Sequence, residues 1–295
     1  MEKITNCPIC STNSFSNYLN VEDYTVSHQE FKIQQCNACH FLFTNPRPAE
    51  EEIGAFYQSE NYISHHDEAK DLMSRAYNLV RDYTLHQKLK LINGLVPSKG
   101  NLLDMGCGTG SFLQICKQNG WTINGTEPDP QARKQAQQKT QSEIVTHIDE
   151  LQGDYDIVTM WHVLEHVHRL NETIDWLRNR VTAKGKIIIA VPNPGSYDAQ
   201  HYHRFWAAYD VPRHLYHFTP STMDKLLQKH QLKIERIDPM WFDSYYVSML
   251  SSKYQQGSTG LAESLKVGSL SNWKGRKGPT QAYNTSSLIY IVSPQ

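Results

Sequence analysis

The sequence predicts an α/β fold, a largely parallel sheet covered by helices on both faces, preceded by a small cysteine-rich module. From residue 101 onward, short apolar runs alternate with amphipathic ones. "NLLDMG", "WTINGTE", "SEIVTHI", "YDIVTMWHVL" and "GKIIIAVPNP" read as strands, with helices at "GSFLQICKQNG", after Asp129 and at "NETIDWLRNRV". Strands this apolar are buried on both faces, the situation of parallel strands joined by crossover helices. The third observation is a pair of C-x-x-C spacings near the N-terminus, Cys7 with Cys10 and Cys36 with Cys39.

Composition sets outer bounds. Hydrophobic residues make up 39% and charged residues 20%, enough for a packed core, and the net charge of -1 provides no global field for nucleic acid or an anionic membrane. No nucleic-acid signature and no transmembrane segment is read. "MEKITNCPIC" has no apolar signal region, so a cytoplasmic, reducing location is expected. There, paired cysteines hold metal more often than disulfides. Cys36, Cys39 and His40 match the C-x-x-C-H pattern of haem attachment, but that reading leaves Cys7 and Cys10 unexplained. Two knuckles supply four thiolates, the donor set of a closed structural zinc site.

The domain reading follows. Residues 1–48 form the zinc-ribbon module, with "FKIQQC" as an alternating strand before the second knuckle. Residues 49–99 form a helical linker or lid. It has a short helix in "PAEEEIGAFYQ" and a longer one from about Glu68 to Leu91, its apolar face at Leu72, Ala76, Leu79, Val80, Tyr83 and Leu91. Residues 100–295 are the main domain. Within it, Asp129 followed by Pro130 is an N-cap and first-turn proline. A helix from Ser221 and strands at "LKIERID" and "SSLIYIVS" close the chain. Residues 251–284, rich in Ser, Gly, Lys and Gln, read as a flexible insertion between the last two strands.

The chemistry begins at Asp104-Met-Gly106-Cys107-Gly108-Thr-Gly110. Alternating glycines between a strand and a helix let the backbone approach a ligand closely. A Walker A loop would need G-K-[ST], and the dinucleotide fingerprint would need glycine where Ser111 stands. Glu127, ending the second strand, is placed to accept both hydroxyls of a ribose.

The D-x-G-x-G-x-G loop, Glu127 and "MWHVLEHV" at the end of the fourth strand together resemble class I S-adenosylmethionine (SAM)-dependent methyltransferases over about residues 100–235. The resemblance implies SAM as cofactor and a Rossmann-like sheet of order 3-2-1-4-5-7-6 with the last strand antiparallel. It implies that Asp104 and the backbone of Gly106, Cys107, Gly108 and Gly110 hold the methionine part. Glu127 would hold the ribose, Pro128 would pack near the adenine, Ile148 and Asp149 would flank it, and Trp161 and His162 would line the methionine end. The whole chain is similar to methyltransferases carrying an N-terminal two-knuckle, four-cysteine zinc ribbon. Sugar C-methyltransferases have such a module and a further C-terminal domain, for which this chain is too short.

The acceptor is expected at the loop after the fifth strand, "NPGSYDAQHYHRFWAAYDVPRHLYHFTPSTM". In related enzymes the P-x-H-x-x-x-F-[ST] stretch, here Pro212 to Phe218, borders the acceptor pocket. His214 is the first choice of general base, because imidazole is easily poised near neutral pH, with His217 and Tyr209 in reserve. The loop histidines 201, 203, 214 and 217 show no compact pairing with a carboxylate, so no second metal is expected. Glu165 and His166 are read as packing near the cofactor. A small organic acceptor is the leading expectation, with the methylated atom and the oligomeric state left open. The alternatives are an RNA or protein methyltransferase that uses the ribbon for recognition, and a non-catalytic SAM-binding interaction protein. The [DN]-P-P-[FY] signature of base-amine methylation is absent after the fourth strand, where "MWHV" stands.

Overall fold

The computed structural model describes residues 1–57, 72–276 and 282–295, with side chains of the first helix described from residue 80. In chain order the elements are β1 (Phe15–Glu22), β2 (Glu30–Cys36), β3 (Leu42–Thr44), α1 (Leu72–Asn93), β4 (Asn101–Met105), α2 (Ser111–Gln118), β5 (Thr122–Thr126) and α3 (Pro130–Thr140). Then follow β6 (Ile144–Val145), β7 (Tyr155–Trp161), α4 (Leu170–Arg180), β8 (Val181–Pro192), α5 (Tyr197–Tyr202), β9 (Tyr216–His217) and α6 (Pro220–Lys229). β10 (Leu232–Pro239), α7 (Asp243–Gln256), α8 (Leu261–Lys274) and β11 (Ser287–Pro294) complete the chain. A seven-stranded mixed sheet runs β6-β5-β4-β7-β8-β11-β10, the order the sequence implied. No helix among the described residues is long and apolar enough to cross a membrane.

The chain divides into two compact units, the first drawn from Met1–His65, His162–Ile174 and Ala190–Ile291, the second from His66–Trp161, Asp175–Ile189 and Val292–Gln295. In the first unit, β1, β2 and β3 form an antiparallel meander that takes its fourth strand from β9, with Leu42 opposite His217 and Phe43 opposite Tyr216. The fourth strand thus comes from outside residues 1–48. Phe41 anchors this junction by stacking on Tyr216 at 5.7 Å and meeting Phe218 at 5.3 Å. Residues 211–218 are buried throughout.

Two buried arginines support that burial: Arg47 donates to Tyr216 Oη at 2.8 Å, and Arg213 holds the start of the stretch. Arg213 is 1% exposed and donates to Asp23 Oδ1 at 2.8 Å, to both oxygens of Asp210 and to the Phe56 carbonyl at 2.8 Å. Asp23 also accepts the backbone N–H groups of Thr25, Val26 and Ser27. Burial alone would raise the Asp23 pKa. The Arg213 hydrogen bond and the Ser27 N–H outweigh it and hold the carboxyl well below the usual range.

In the second unit β4 is parallel to β5 and β7, and β5 to β6. Asp129 caps α3 by accepting the Ala132 N–H, with Pro130 in the first turn as the sequence indicated. Three sequence expectations need adjustment. The third strand is only Ile144–Val145 rather than all of "SEIVTHI". Val80 and Tyr83, assigned to the apolar face of α1, are 41% and 53% exposed, and the expected start of that helix at Glu68 lies outside the described residues. Residues 251–284, read as a flexible insertion, contain the end of α7 and all of α8 in the first unit; 277–281 lie outside the described residues.

These helices pack through small residues. A Cβ on Gly268 would lie 2.8 Å from Tyr245 and 3.1 Å from the Ser244 carbonyl. The buried serines serve as donors: Ser271 and Ser286, together with Trp206 Nε1, hydrogen-bond the fully buried Asp198. Sequence composition counts such serines as loop formers, whereas here they donate hydrogen bonds to a buried carboxyl group.

Arg213→Met leaves Asp23 and Asp210 without their cation and should destabilise the chain by about 3–5 kcal/mol. Adding Asp23→Asn should recover part of that loss, read from urea unfolding midpoints.

Candidate functional site

The cysteine knuckles are near copies of one another. Cys7 N–H donates to the Thr12 carbonyl and Ser11 N–H to the Cys7 carbonyl, just as Cys36 N–H donates to Phe41 and His40 N–H to Cys36. Ser11 and His40, each following a second cysteine, share a left-handed backbone at φ 62 and φ 64. His40 is exposed and serves as the turn residue of its knuckle. The four sulfurs lie within 4.8 Å of one another, with Cys7–Cys39 and Cys10–Cys36 each at 3.5 Å and no disulfide formed. A tetrahedral ion with sulfurs at about 2.3 Å requires sulfur–sulfur spacings slightly above those distances, so the donor set fits a four-cysteine zinc ribbon.

In the second unit, β4, β5, β6 and β7 are parallel and their carboxyl ends lie at one end of the sheet, where the predicted cofactor residues other than His162 sit. Gly106, Gly108 and Gly110 all adopt positive φ. At Gly110, φ is 77 and a Cβ would lie 2.8 Å from the Ala136 backbone, so only glycine lets the loop enter α2 this close to α3. The Gly108 N–H donates to Glu127 Oε2 at 2.8 Å, and the Asp129 N–H to Oε1 at 2.9 Å. Glu127 is thereby fixed against the glycine loop with further lone pairs available. Burial raises its pKa, although both N–H groups pull it down.

Asp104 is 3% exposed and accepts from Thr159 Oγ1 at 2.6 Å. Burial pushes its carboxyl up to about 7, with Thr159 and Lys88 pulling the other way. The Cys107 thiol is driven well above its usual range by burial, which makes it a packing group rather than a nucleophile. Trp161 packs edge-on against Phe112 at 5.8 Å, has Lys88 Nζ 4.3 Å from its ring centroid and keeps a buried Nε1 with no acceptor among the described residues. Ile148 and Asp149 lie on a one-turn segment after β6, where Glu150 caps the His147 and Thr146 N–H groups. Ile148 is half-buried, and Asp149 and Pro128 are exposed. Thr159 and Lys88 were missed in the sequence. Thr159 lies on the same strand face as Trp161, a legible signal, but a lysine on a helix carries none.

His162, expected at the methionine end, is grouped in the first unit with Asp243, 3.0 Å from Nε2, and with Glu165, 3.3 Å from Nδ1. Burial lowers its pKa, but the two carboxylates outweigh it and raise it to about 10, so the ring is an imidazolium at neutral pH. The other half of the expected chemistry also belongs to the first unit. His217 is buried, with Nε2 3.4 Å from Thr44 Oγ1, and burial and the nearby His214 hold its pKa down to about 3. Tyr209 is buried between Trp206 and His217, and burial pushes its phenol well above the usual range. His214 instead meets Glu165 and His166, each of the three offering a ligand atom within 4.8 Å of the others. This corrects the expectation that no loop histidine pairs compactly with a carboxylate. The partners come from the Leu164–His166 turn, which sequence distance concealed.

A sequence model of the family described as a methyltransferase domain matches residues 77–237, more than half of the chain, and the chain belongs to that family. Among solved structures it is similar to magnesium protoporphyrin IX methyltransferase (ChlM) from Synechocystis PCC 6803 with bound SAH. Sequence identity is 15%, 81% of this chain and 97% of that one are covered, and the TM-score is 0.52. It is also similar to the mitomycin 7-O-methyltransferase MmcR, at 14% identity, 82% and 63% coverage and a TM-score of 0.50. At such identities the likeness is one of fold. No curated protein matches the sequence.

Gly110→Ala forces both a strained φ and a backbone clash and should destabilise the second unit by about 2 kcal/mol. Its thermal unfolding should shift downward, while alanine at Gly153, where φ is 93 but nothing lies within 4 Å, should shift it less.

Proposed function

We propose that the chain is a SAM-dependent methyltransferase acting on a small organic acceptor, with the four-cysteine module stapled by zinc. The observation that carries this reading is the Glu127 carboxylate bonded into a triple-glycine loop beside the buried Asp104. When bound, SAM supplies a methyl group on a sulfonium, already activated for in-line displacement. The loop backbone around Gly106 and Gly108 and the carboxylate of Asp104 would hold the methionine part. Glu127 would take the ribose hydroxyls on the lone pairs left by its two N–H donors. The buried Trp161 Nε1 would donate to a ligand acceptor. Pro128, Ile148 and Asp149 would border the adenine. His214 belongs to the acceptor half: its Nδ1 lies 2.8 Å from the Ala208 carbonyl, which can only accept, so the proton sits there and Nε2 keeps a lone pair.

Cys7, Cys10, Cys36 and Cys39 would hold zinc as a structural clamp, since four thiolates leave no open position for chemistry. A small antiparallel meander buries little core without one. The MmcR and ChlM structures, both of small-molecule methyltransferases, are consistent with a small acceptor. The test is transfer of labelled methyl from SAM into an extract of the source cell, with products separated into small molecules, RNA and protein. Label in the small-molecule fraction supports the reading, and label confined to RNA or protein replaces it with a macromolecular one.

Asp104 generates a pH dependence. With its pKa raised to about 7, the free protein carries it protonated at acid pH, whereas a cationic amino group on the ligand favours the carboxylate. S-adenosylhomocysteine affinity should therefore rise between pH 6 and 8 by up to about tenfold per unit below the pKa, then level off. Calorimetry at several pH values reads this, and a flat or falling profile contradicts it. Separately, Cys36→Ser should lower bound zinc, measured by elemental analysis, and destabilise the first unit, with S-adenosylhomocysteine affinity retained.

A further inference from the structure

The cluster of Glu165, His166 and His214 has features of a metal site beyond three side chains being close together. Glu165 is fully buried and its Oε2 accepts no hydrogen bond among the described residues. A buried carboxylate oxygen left unpaired is costly, and such a group calls for a cation or donor. Its other oxygen, Oε1, lies 3.3 Å from His162 Nδ1, so His162 partners one carboxylate oxygen and leaves Oε2 without a donor among the described residues.

Both histidines are held in the manner of ligands. His214 Nδ1 donates to the Ala208 carbonyl at 2.8 Å, and His166 Nδ1 donates to the Arg213 carbonyl at 3.0 Å, with Tyr57 Oη also 3.0 Å from that nitrogen. A carbonyl fixes the proton on Nδ1, so each ring keeps its lone pair on Nε2. Backbone carbonyls that orient metal-bound imidazoles do the same. The rings meet edge-on, 4.6 Å between centroids. Asp210, 3.9 Å from His214 Nε2, is already engaged by Arg213 and stands outside the set. The backbone ties the parts together, since Leu215 N–H donates to the Glu165 carbonyl at 2.8 Å.

We infer that Glu165, His166 and His214 form a second metal site, distinct from the four cysteines, for a divalent first-row transition ion such as Mn2+, Fe2+, Co2+ or Zn2+. Two imidazole nitrogens and one carboxylate oxygen suit these ions and leave coordination positions open, in contrast to the closed four-thiolate set. The open positions would take an oxygen-bearing acceptor, a hydroxyl or phenol, because the ion lowers the pKa of a bound oxygen acid. This last step rests on the methyltransferase reading, but the metal site itself does not.

The test uses the full chain with zinc already in the cysteine site. Mn2+ is titrated and followed by the loss of free Mn2+ signal in electron paramagnetic resonance, since four soft thiolates do not favour this hard ion. Co2+ and Zn2+ are then titrated by calorimetry. The expected result is one additional ion per chain, with affinity falling at least 100-fold in both Glu165→Gln and His214→Ala. S-adenosylhomocysteine binding, measured on the same samples, shows whether each variant is folded and tests the cofactor reading separately. No additional Mn2+, Co2+ or Zn2+, or binding unchanged in both folded variants, overturns the site. An ion that binds as expected to a chain that fails to bind S-adenosylhomocysteine would leave the site standing and remove the acceptor role.

Discussion

The first unit depends on the buried guanidinium of Arg213. Arg213 reaches a turn after β1 through Asp23, the chain at Phe56 through its carbonyl, and its own loop through Asp210. Arginine suits this position because its planar fork serves several acceptors at once and it stays charged under burial, here with two carboxylates raising its pKa further against the cost of desolvation. The neighbouring residue is His214, whose ring orientation follows from a backbone that Arg213 holds in place. The Arg213 carbonyl also accepts the His166 proton. One residue therefore shapes the loop with its side chain and selects a histidine tautomer with its main chain.

The two units solve different chemical problems with different means. The second relies on backbone: glycines at positive φ expose N–H groups, and one carboxylate, Glu127, is tied to them at the end of a parallel strand. Strand ends in such a sheet gather there because every parallel strand points the same way. The first unit relies on side chains brought from distant segments, with residues 165, 166 and 214 meeting only because β9 is zipped onto β3 and Leu215 onto Glu165. Cys36 ends β2 of the same sheet, so the four-sulfur cluster and the aromatic cluster of Phe41, Tyr216 and Phe218 adjoin one sheet.

Much of the interior is polar. Asp198 is satisfied by Trp206, Ser271 and Ser286, and Ser264 bridges to Ser252 across the α7–α8 pair. Small side chains let the helices approach closely, and the hydroxyls then supply the donors that burial demands. Composition alone reads such a stretch as loop, because serine favours turns when it is exposed to water. The same residue in a close helix pair has no competing water and turns to its neighbours.

The sequence by itself determined the elements whose cause is local. Apolar runs defined the strands, Asp129 and Pro130 the start of α3, the D-x-G-x-G-x-G spacing the glycine loop between β4 and α2, and the two C-x-x-C pairs the four-sulfur cluster. Each is a short-range rule of backbone conformation, capping or ligand spacing; the strands, the α3 cap and the four-sulfur cluster appear in the structure where the sequence put them, with the third strand shortened to Ile144–Val145. Tertiary structure alone decided the rest. It exposed Val80 and Tyr83, placed residues 251–256 and 261–274 in helices, buried His217 and Tyr209 in the core and joined His214 to Glu165 and His166. The reason is physical: burial, desolvation and the completion of hydrogen bonds depend on what a side chain meets across the fold, and a sequence records only what lies beside it along the chain.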